Sequence, residues 1–276
     1  MAEKIIFLDI DGTLTEPGKN IPPASALEAI RRAQTAGNRV FLCTGRTPGM
    51  VTPLLQYGFD GVVCASGGYI TCGDTVIYNH PMTEQQKQKA LDVLTKNGVF
   101  RTVECAEHSY TDESFKDFLR AKAQKDSNSE LLRWREQIEQ NLGILPMSAY
   151  RGEPIYKLVV MCEKRSQLDE PIEVLSDEFT VVVQDDPNAA YVNGEIISKV
   201  FDKGLGVKRV CEHLGIPVEN TVGFGDSMND LEMIETVGFS VCMANGSPTL
   251  KGIADAVCPA VTEDGMYQAF ERYGLF

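Results

Sequence analysis

Residues 5–13 read IIFLDIDGT, an unbroken apolar run that ends in two aspartates and a glycine. A short run of this kind predicts a strand that is buried on both faces of a sheet. Side chains alternate along a strand, so Asp9 and Asp11 are expected on the same side, where the strand passes into a glycine turn. Ligands of open parallel sheets bind at the carboxyl ends of the strands, which is where this pair would lie. Taken alone, the pair also fits two acids of a solvated turn.

The same rhythm of apolar run and amphipathic stretch continues outward from this segment. Apolar runs recur as RVFLCTG, GVVCASG, TVGFGDS and FSVCMANG, at 39–45, 61–67, 221–227 and 239–246. Helical stretches lie between them, for example 22–37, which starts at two prolines and ends at a glycine. The pattern predicts an α/β fold with a doubly wound, parallel-sheet, Rossmann-like core.

The middle of the chain has a different composition, with longer polar helical stretches such as 113–126 and 131–143. Because both flanks are expected to share one sheet, this segment is predicted to be an inserted α+β domain. We expect the core to comprise residues 1–82 and 192–276, and the insertion to comprise residues 83–191.

Composition narrows the classes of partner. The chain of 276 residues carries 26 Lys and Arg against 39 Asp and Glu, a formal charge of −13. Such a surface argues against nucleic acid as the main partner, because phosphate backbones are held by Lys and Arg. No apolar run approaches the ~18–20 residues of a membrane span. The eight cysteines are widely spaced and several lie in apolar runs, so reduced, buried thiols of a soluble cytoplasmic protein are expected.

Further polar residues follow the other predicted strands. Thr44 and Gly45 close the second strand, and a helix cap is the alternative role for the threonine. Asp226 and Asp230, in GDSMND, follow a later strand, where capping and compensation of the helix dipole are the alternatives. Lys203 stands at a helix start, where a cation opposes the dipole, so a purely structural role is the less natural reading.

These motifs together resemble the haloacid dehalogenase superfamily in its phosphatase branch, and most closely the Cof-type subfamily with a large type IIB cap. The resemblance spans the chain, through DIDGT at 9–13, CTGR at 43–46, DKG at 202–204, GDSMND at 225–230 and MANGSPTLKGIADAV at 243–257. It selects Lys203 over Lys199, because the family lysine directly precedes a glycine. It leaves Arg46 as a structural or rim residue.

The resemblance implies a role for each matching residue. Asp9 would be the nucleophile and Asp11 the general acid and base. Phosphate would be bound by Ile10, Thr44, Gly45, Lys203 and Asn229. A magnesium ion would be bound by Asp9, Asp11, Asp226 and Asp230.

Elementary chemistry supports these roles. A carboxylate with an ordinary pKa of ~3.9 is ionised at neutral pH, so Asp9 needs no activating base. It needs relief from repulsion by the phosphate, which a hard cation and Lys203 would provide. The sequence has no clustered His or Cys, which favours Mg²⁺ over zinc.

The expected function is therefore Mg²⁺-dependent hydrolysis of a small phosphorylated metabolite, with sugar phosphates as the leading class. The alternatives are a phosphohexomutase of the same superfamily, a nucleotide or flavin phosphate as substrate, and a non-catalytic regulatory or binding protein. Six polar residues of the insertion are candidates for contacting the leaving group, and the sequence does not discriminate among Arg151, Glu153, Lys157, Asp185, Asp186 and Asn188. The oligomeric state is not determined by the sequence.

Overall fold

The computed structural model describes residues 3–113, 144–184 and 191–276. The chain divides into two compact units, one of residues 1–46, 51–79 and 201–276, the other of residues 47–50 and 80–200. The predicted helices at 113–126 and 131–143 fall almost entirely outside the described residues, as do the candidates Asp185, Asp186 and Asn188.

The strands of the described chain are β1 Ile5–Leu8, β2 Arg39–Cys43, β3 Gly61–Cys64, β4 Tyr69–Cys72, β5 Thr75–Asn79, β6 Phe100–Cys105, β7 Ser109–Thr111, β8 Ile144–Pro146, β9 Ile155–Cys162, β10 Phe179–Gln184, β11 Val192–Ser198, β12 Thr221–Gly225, β13 Phe239–Met243 and β14 Ala256–Cys258. Its α-helices are α1 Ala24–Thr35, α2 Pro48–Leu55, α3 Glu84–Lys96, α4 Asp169–Leu175, α5 Lys203–Leu214, α6 Leu231–Thr236, α7 Pro248–Ile253 and α8 Gly265–Arg272.

The first unit is built on an eight-stranded sheet in the order β14-β13-β12-β1-β2-β3-β4-β5. Strand β1 lies near its centre and pairs in parallel with β2 and with β12. Its side chains alternate between two cores: Ile6 and Leu8 pack on the face covered by α1 and α8, whereas Ile5 and Phe7 pack on the face of α5 and α6. The predicted α/β class with a doubly wound core is thereby confirmed.

One edge of this sheet departs from the parallel pattern. Strands β3, β4 and β5 are joined by antiparallel pairing. This hairpin was not predicted from the sequence; β5, which reads TVIYN, is exposed or half-buried along its length.

The second unit contains a six-stranded sheet in the order β10-β11-β9-β6-β7-β8. Its strands pair in antiparallel fashion except for β7 with β8. Helices α3 and α4 pack together on one face, around buried apolar residues such as Leu94 and Leu158. Helix α3 begins at a capping box, in which the Thr83 side chain accepts from the Gln86 backbone N–H.

The unit boundaries fall at 79/80 and 200/201, whereas the sequence placed them at 82/83 and 191/192. Met82 belongs with the second unit because its backbone N–H donates to Ile155 and its side chain joins that core. Residues 192–198, expected in the first unit, form β11 and pair with β9 and β10. A strand with two partners in one sheet belongs to that sheet.

All eight cysteines are free thiols, and seven of them are buried, as expected. Among the described residues, the helices are too short or too polar to span a bilayer. The cytoplasmic location stays a prediction.

Candidate active site

Three buried carboxylates meet at the carboxyl edge of the first sheet. Asp9 directly follows β1, Asp226 directly follows β12, and Asp230 ends a short 3₁₀ helix, Met228–Asp230. Parallel pairing of Leu8 with Phe224 aligns the two strand ends. One ligand atom from each carboxylate lies within 4.8 Å of the others. Two chain segments remote in sequence thus build one acidic cluster.

Lys203 is the positive charge within this cluster. Its side chain is fully buried, and its Nζ lies 2.7 Å from Asp9 Oδ1, 2.5 Å from Asp230 Oδ1 and 3.5 Å from Asn229 Oδ1. Burial alone lowers the pKa of Lys203, but the charges of Asp230 and Asp9 reverse the effect, so its pKa lies well above the usual value. The lysine therefore stays protonated and holds the two acids together.

The DKG sequence explains how a lysine reaches this place at the start of α5. The Asp202 carboxylate caps the helix by accepting from the Leu205 N–H at 2.6 Å. A Cβ at Gly204 would lie 2.4 Å from the backbone oxygen of Glu232, so only glycine allows α5 to approach α6 this closely. Lys199, the alternative left by the sequence, lies in the second unit and donates to the Ser176 backbone oxygen.

Asp230 braces the loop that carries Asp226. Its Oδ1 accepts from Lys203, and its Oδ2 accepts from the backbone N–H groups of Asp226 and Ser227 at 3.0 and 3.1 Å. Both oxygens are thus already hydrogen-bonded. Asp226 is less constrained, with a 3.4 Å contact from the Thr13 hydroxyl. Among the described residues, no hydrogen bond reaches Asp9 Oδ2, so its lone pairs are free to bind a ligand although the residue is 4% exposed.

The acids repel one another strongly. Burial, and then the charge of Asp230, raise the pKa of Asp9 to about 7 despite the opposing effect of Lys203. Burial, and then the charge of Asp9, raise the pKa of Asp226 to about 8. The ordinary pKa expected for Asp9 from its residue type is therefore wrong for the cation-free protein, because that expectation takes no account of burial. Hard oxygen donors with unrelieved repulsion fit a divalent cation such as Mg²⁺.

The turn after β1 is shaped to fit Asp226. Gly12 has φ +88°, and a Cβ there would lie 2.3 Å from Asp226 Oδ2. Asn245 fixes this turn: its Nδ2 donates to the Gly12 oxygen at 2.8 Å, and its Oδ1 accepts from the Val261 N–H at 3.2 Å. Asn245 lies in the MANGSP motif, but no role for it was predicted from the sequence. The polar residue after strand β13 was the available signal.

Asp11 is the predicted site residue that lies outside the carboxylate cluster. Arg46 instead binds it through two hydrogen bonds, from Nε to Oδ2 at 2.8 Å and from Nη2 to Oδ1 at 2.7 Å. Arg46 is 1% exposed. Of the two expectations for Arg46, a structural or a rim residue, the rim position is wrong because the side chain is buried. The Asp11 side chain is not part of the cluster that the other three predicted metal ligands form.

The predicted phosphate-binding residues differ in what they present to a ligand. Thr44 and Gly45 are buried, and Thr44 Oγ1 accepts from the Arg46 N–H at 3.1 Å, which is a turn contact and not a helix cap. The Ile10 side chain packs in the core, so only its backbone can face a ligand. Asn229 Oδ1 accepts from the Ser227 hydroxyl at 2.7 Å, beside Lys203.

Buried acids and a buried lysine at the carboxyl edge of the parallel strands form a site suited to a cation and an anionic ligand. A family model for haloacid dehalogenase-like hydrolases matches residues 6–270. The chain belongs to this family. That membership confirms the family and the hydrolase class expected from the motifs.

Individual relatives are similar to this chain over its whole length. YkrA of Bacillus subtilis (strain 168) is 30% identical over 276 residues, covering 100% of this chain and 99% of YkrA. YwtE of the same organism, named 5-amino-6-(5-phospho-D-ribitylamino)uracil phosphatase, is 28% identical and covers 95% of each chain. A crystal structure of a Geobacillus kaustophilus HTA426 protein is 27% identical, has a TM-score of 0.79, and covers 100% of both chains.

The HAD subclass IIB sugar phosphatase BT4131 is 24% identical, with a TM-score of 0.72 over 99% of this chain and 100% of its own. It shares the fold, a Rossmann-like core with a cap. The expectation of a hydrolase acting on phosphoric monoesters is confirmed at the level of the family and its relatives.

Proposed function

We propose that this protein is a Mg²⁺-dependent phosphatase that hydrolyses small phosphomonoesters through an aspartyl-phosphate on Asp9, with sugar phosphates as the leading substrate class. The observation that carries the proposal is the buried Asp9 at the end of β1, with Lys203 Nζ at 2.7 Å from one carboxylate oxygen. The substrate in the name of YwtE carries its phosphate on a ribityl chain, which supports a polyol or sugar leaving group.

Asp9 and Asp226 would hold the cation, with Asp230 supporting them. Asp9 and Asp226 have raised pKa values because of burial and mutual repulsion, so this set of donors is favourable for a cation and unfavourable without one. Mg²⁺, when bound, supplies positive charge that offsets the repulsion between the carboxylates and a phosphate. The insertion, at 83–191 by sequence, would act as the cap that excludes water from the site.

The chain's own groups account for both halves of the reaction. Asp9 Oδ2 attacks phosphorus while the bond from phosphorus to the leaving oxygen breaks, and Asp11 donates a proton to that oxygen. In the second half, Asp11 takes a proton from water as the water oxygen attacks phosphorus. The bond to Asp9 Oδ2 then breaks, which releases phosphate and restores the free carboxylate. Lys203 stabilises the charge on the phosphoryl oxygens throughout.

Backbone groups complete the proposed phosphate site. Lys203, the Thr44 hydroxyl and the backbone at Ile10 and Gly45 would contact the phosphate oxygens, with Asn229 beside them. Ile10, Thr44 and Gly45 lie in the turns after β1 and β2, and Lys203 is held at the start of α5 by Asp9 and Asp230, so these groups need little reorganisation when a phosphate binds.

The test is phosphate release from a panel of sugar phosphates, nucleotides and 4-nitrophenyl phosphate, with and without Mg²⁺. We expect Mg²⁺-dependent release that Asp9→Asn abolishes. Asp74→Asn, which makes the same charge change in an exposed turn, should match the wild type. Activity retained by Asp9→Asn would refute the nucleophile. Conversion of one sugar phosphate into its isomer without release would favour the mutase, and ligand binding without turnover would favour a binding protein.

A further inference from the structure

We propose that Arg46 is a positioning residue that sets the place of the Asp11 carboxylate, and that Asn20 holds Arg46 in turn. The inference rests on the proposed function, in which Asp11 transfers protons. It predicts that a substitution of Arg46 slows only those steps that depend on proton transfer by Asp11. The loss should therefore differ between leaving groups that need a proton and those that do not.

The guanidinium and the carboxylate form a two-pronged pair in a site with little solvent. Nε and Nη2 of Arg46 reach one oxygen each of Asp11, at 2.8 and 2.7 Å. The Arg46 side chain is 1% exposed and that of Asp11 is 10% exposed. A planar fork fixes the orientation as well as the distance of a carboxylate, which a lysine ammonium cannot do.

The rest of the guanidinium is fixed to the loop after Asp11. Nη1 donates to Asn20 Oδ1 at 2.6 Å, and Nη2 also donates to the Lys19 backbone oxygen at 3.2 Å. Asp11 Oδ1 accepts a further bond from the Gly18 N–H at 2.9 Å. The Arg46 guanidinium is therefore hydrogen-bonded both to Asp11 and to the loop at residues 19–20, which fixes its orientation. This arrangement gives Asp11 one defined position.

Arg46 is also placed by the turn that carries a predicted phosphate ligand. Its N–H donates to Thr44 Oγ1 at 3.1 Å, and its backbone oxygen accepts from the Ala65 N–H at 2.7 Å. The arginine thus connects the turn after β2 with the turn after β1. Apolar side chains of similar volume would stabilise the fold about as well as a buried ion pair does. Stability alone therefore does not explain why Arg46 is fixed in this two-pronged arrangement.

Leaving groups provide a test that a structural role would not satisfy. A sugar alkoxide is a poor leaving group and needs a proton from Asp11, whereas 4-nitrophenolate leaves without one. Phosphoenzyme hydrolysis needs Asp11 as a base for every substrate. Misplacing Asp11 should therefore slow the first step for sugar phosphates but not for 4-nitrophenyl phosphate, and should slow the second step for both.

The experiment compares the wild type with Arg46→Lys by rapid-quench and steady-state kinetics on ribose 5-phosphate and 4-nitrophenyl phosphate. We expect kcat for ribose 5-phosphate to fall by roughly 10²-fold, the scale of a catalytic group misplaced by about 1 Å. The first turnover of 4-nitrophenyl phosphate should be nearly unchanged, followed by a slow phase. That burst marks accumulated phosphoenzyme.

Asn20 offers a milder pair of variants that leaves the ion pair in place. Asn20→Ala removes the acceptor for Arg46 Nη1 and should give a weaker version of the same selective loss. Asn20→Asp keeps an acceptor oxygen and should restore kcat for ribose 5-phosphate. In an Asp11→Asn background, Arg46→Lys should cause little further loss, because its effect passes through Asp11.

The outcomes separate this inference from the proposed function. Equal loss in the first turnover of both substrates, or no loss at all, would overturn the role of Arg46 while leaving an Asp9-dependent phosphatase intact. Additive losses from Arg46→Lys and Asp11→Asn would overturn it as well. Activity retained by Asp9→Asn would instead refute the proposed function itself. If Arg46→Lys fails to fold, the Asn20 pair decides the question.

Discussion

Replacing Lys203 by methionine keeps a side chain of similar length but removes the positive charge that contacts both Asp9 and Asp230. The lysine side chain is fully buried, and its two ion pairs measure 2.7 and 2.5 Å. Removing one partner of a buried ion pair costs about 3–5 kcal/mol, because the remaining charge is left uncompensated. For a domain of this size, each kcal/mol lowers Tm by roughly 2–4 °C, so the expected decrease is roughly 6–20 °C.

The loss of stability in Lys203→Met should increase with pH. The pKa values of Asp9 and Asp226 in the folded protein are about 7 and about 8, above their unfolded values. Groups with raised pKa values favour folding below the unfolded pKa of ~4 and lose that contribution as pH rises through the folded pKa. Without Lys203 the repulsion is larger, so the difference between wild type and variant should grow from pH 5.5 to pH 8.5.

Calorimetric melting in EDTA measures this effect without a bound cation. Lys199→Met is the matched control, because Lys199 is exposed and in the other unit, so its effect should stay within about 0.5 kcal/mol. The reasoning is refuted if Lys203→Met melts with the wild type at pH 8.5, or if its deficit is larger at pH 5.5.

Three further predictions concern the same cluster. Mg²⁺ should raise the Tm of the wild type more at pH 8.5 than at pH 6, because protons compete with the cation for Asp9 and Asp226; an equal rise at both values would contradict this. Gly12→Ala should weaken Mg²⁺ binding, which a titration of Tm with Mg²⁺ measures. Gly37 has φ +91° but open space around it, so Gly37→Ala should lower the free energy of unfolding by only about 1–3 kcal/mol through backbone strain. Asn245→Ala should cost about 1–3 kcal/mol and reduce kcat, because two buried backbone groups lose a partner; Asn245→Asp, which loses only the donor, should fall between.

Much of the core could be predicted from the sequence because its strands are buried on both faces. A strand such as β1 must be apolar at every position, which makes it visible as a run. The hairpin of β4 and β5 was not predicted, because its strands are exposed or half-buried at most positions and their short apolar segments do not mark a strand buried on both faces. Strand β11 was misplaced because the sequence does not record which sheet a strand joins.

The candidate site likewise contains residues that the sequence predicted and residues that it did not. Asp9 and Lys203 stand in short motifs whose residue types match the chemistry, so the sequence indicated both. The role of Arg46 comes from a contact with Asp11, 35 positions away, and that of Asn245 from a contact with Gly12, 233 positions away. No local pattern encodes such pairs, and burial, which controls the pKa of Asp9, depends on the packing of the whole unit.

The pairing of β1 with β12 has a consequence for biosynthesis. Thr13 and Asp226, which touch in the finished site, are 213 positions apart, so the ribosome must release most of the polypeptide before a catalytic centre can exist. Until then, nascent β1 has one open edge, a template for wrong pairing. Residues 80–200 emerge in between and contain their own apolar core. If this insertion collapses first, it shortens the effective loop that must close, at a saving of about 0.6 kcal/mol per halving of loop length. The insertion would then assist the assembly of the enzyme before it ever meets a substrate.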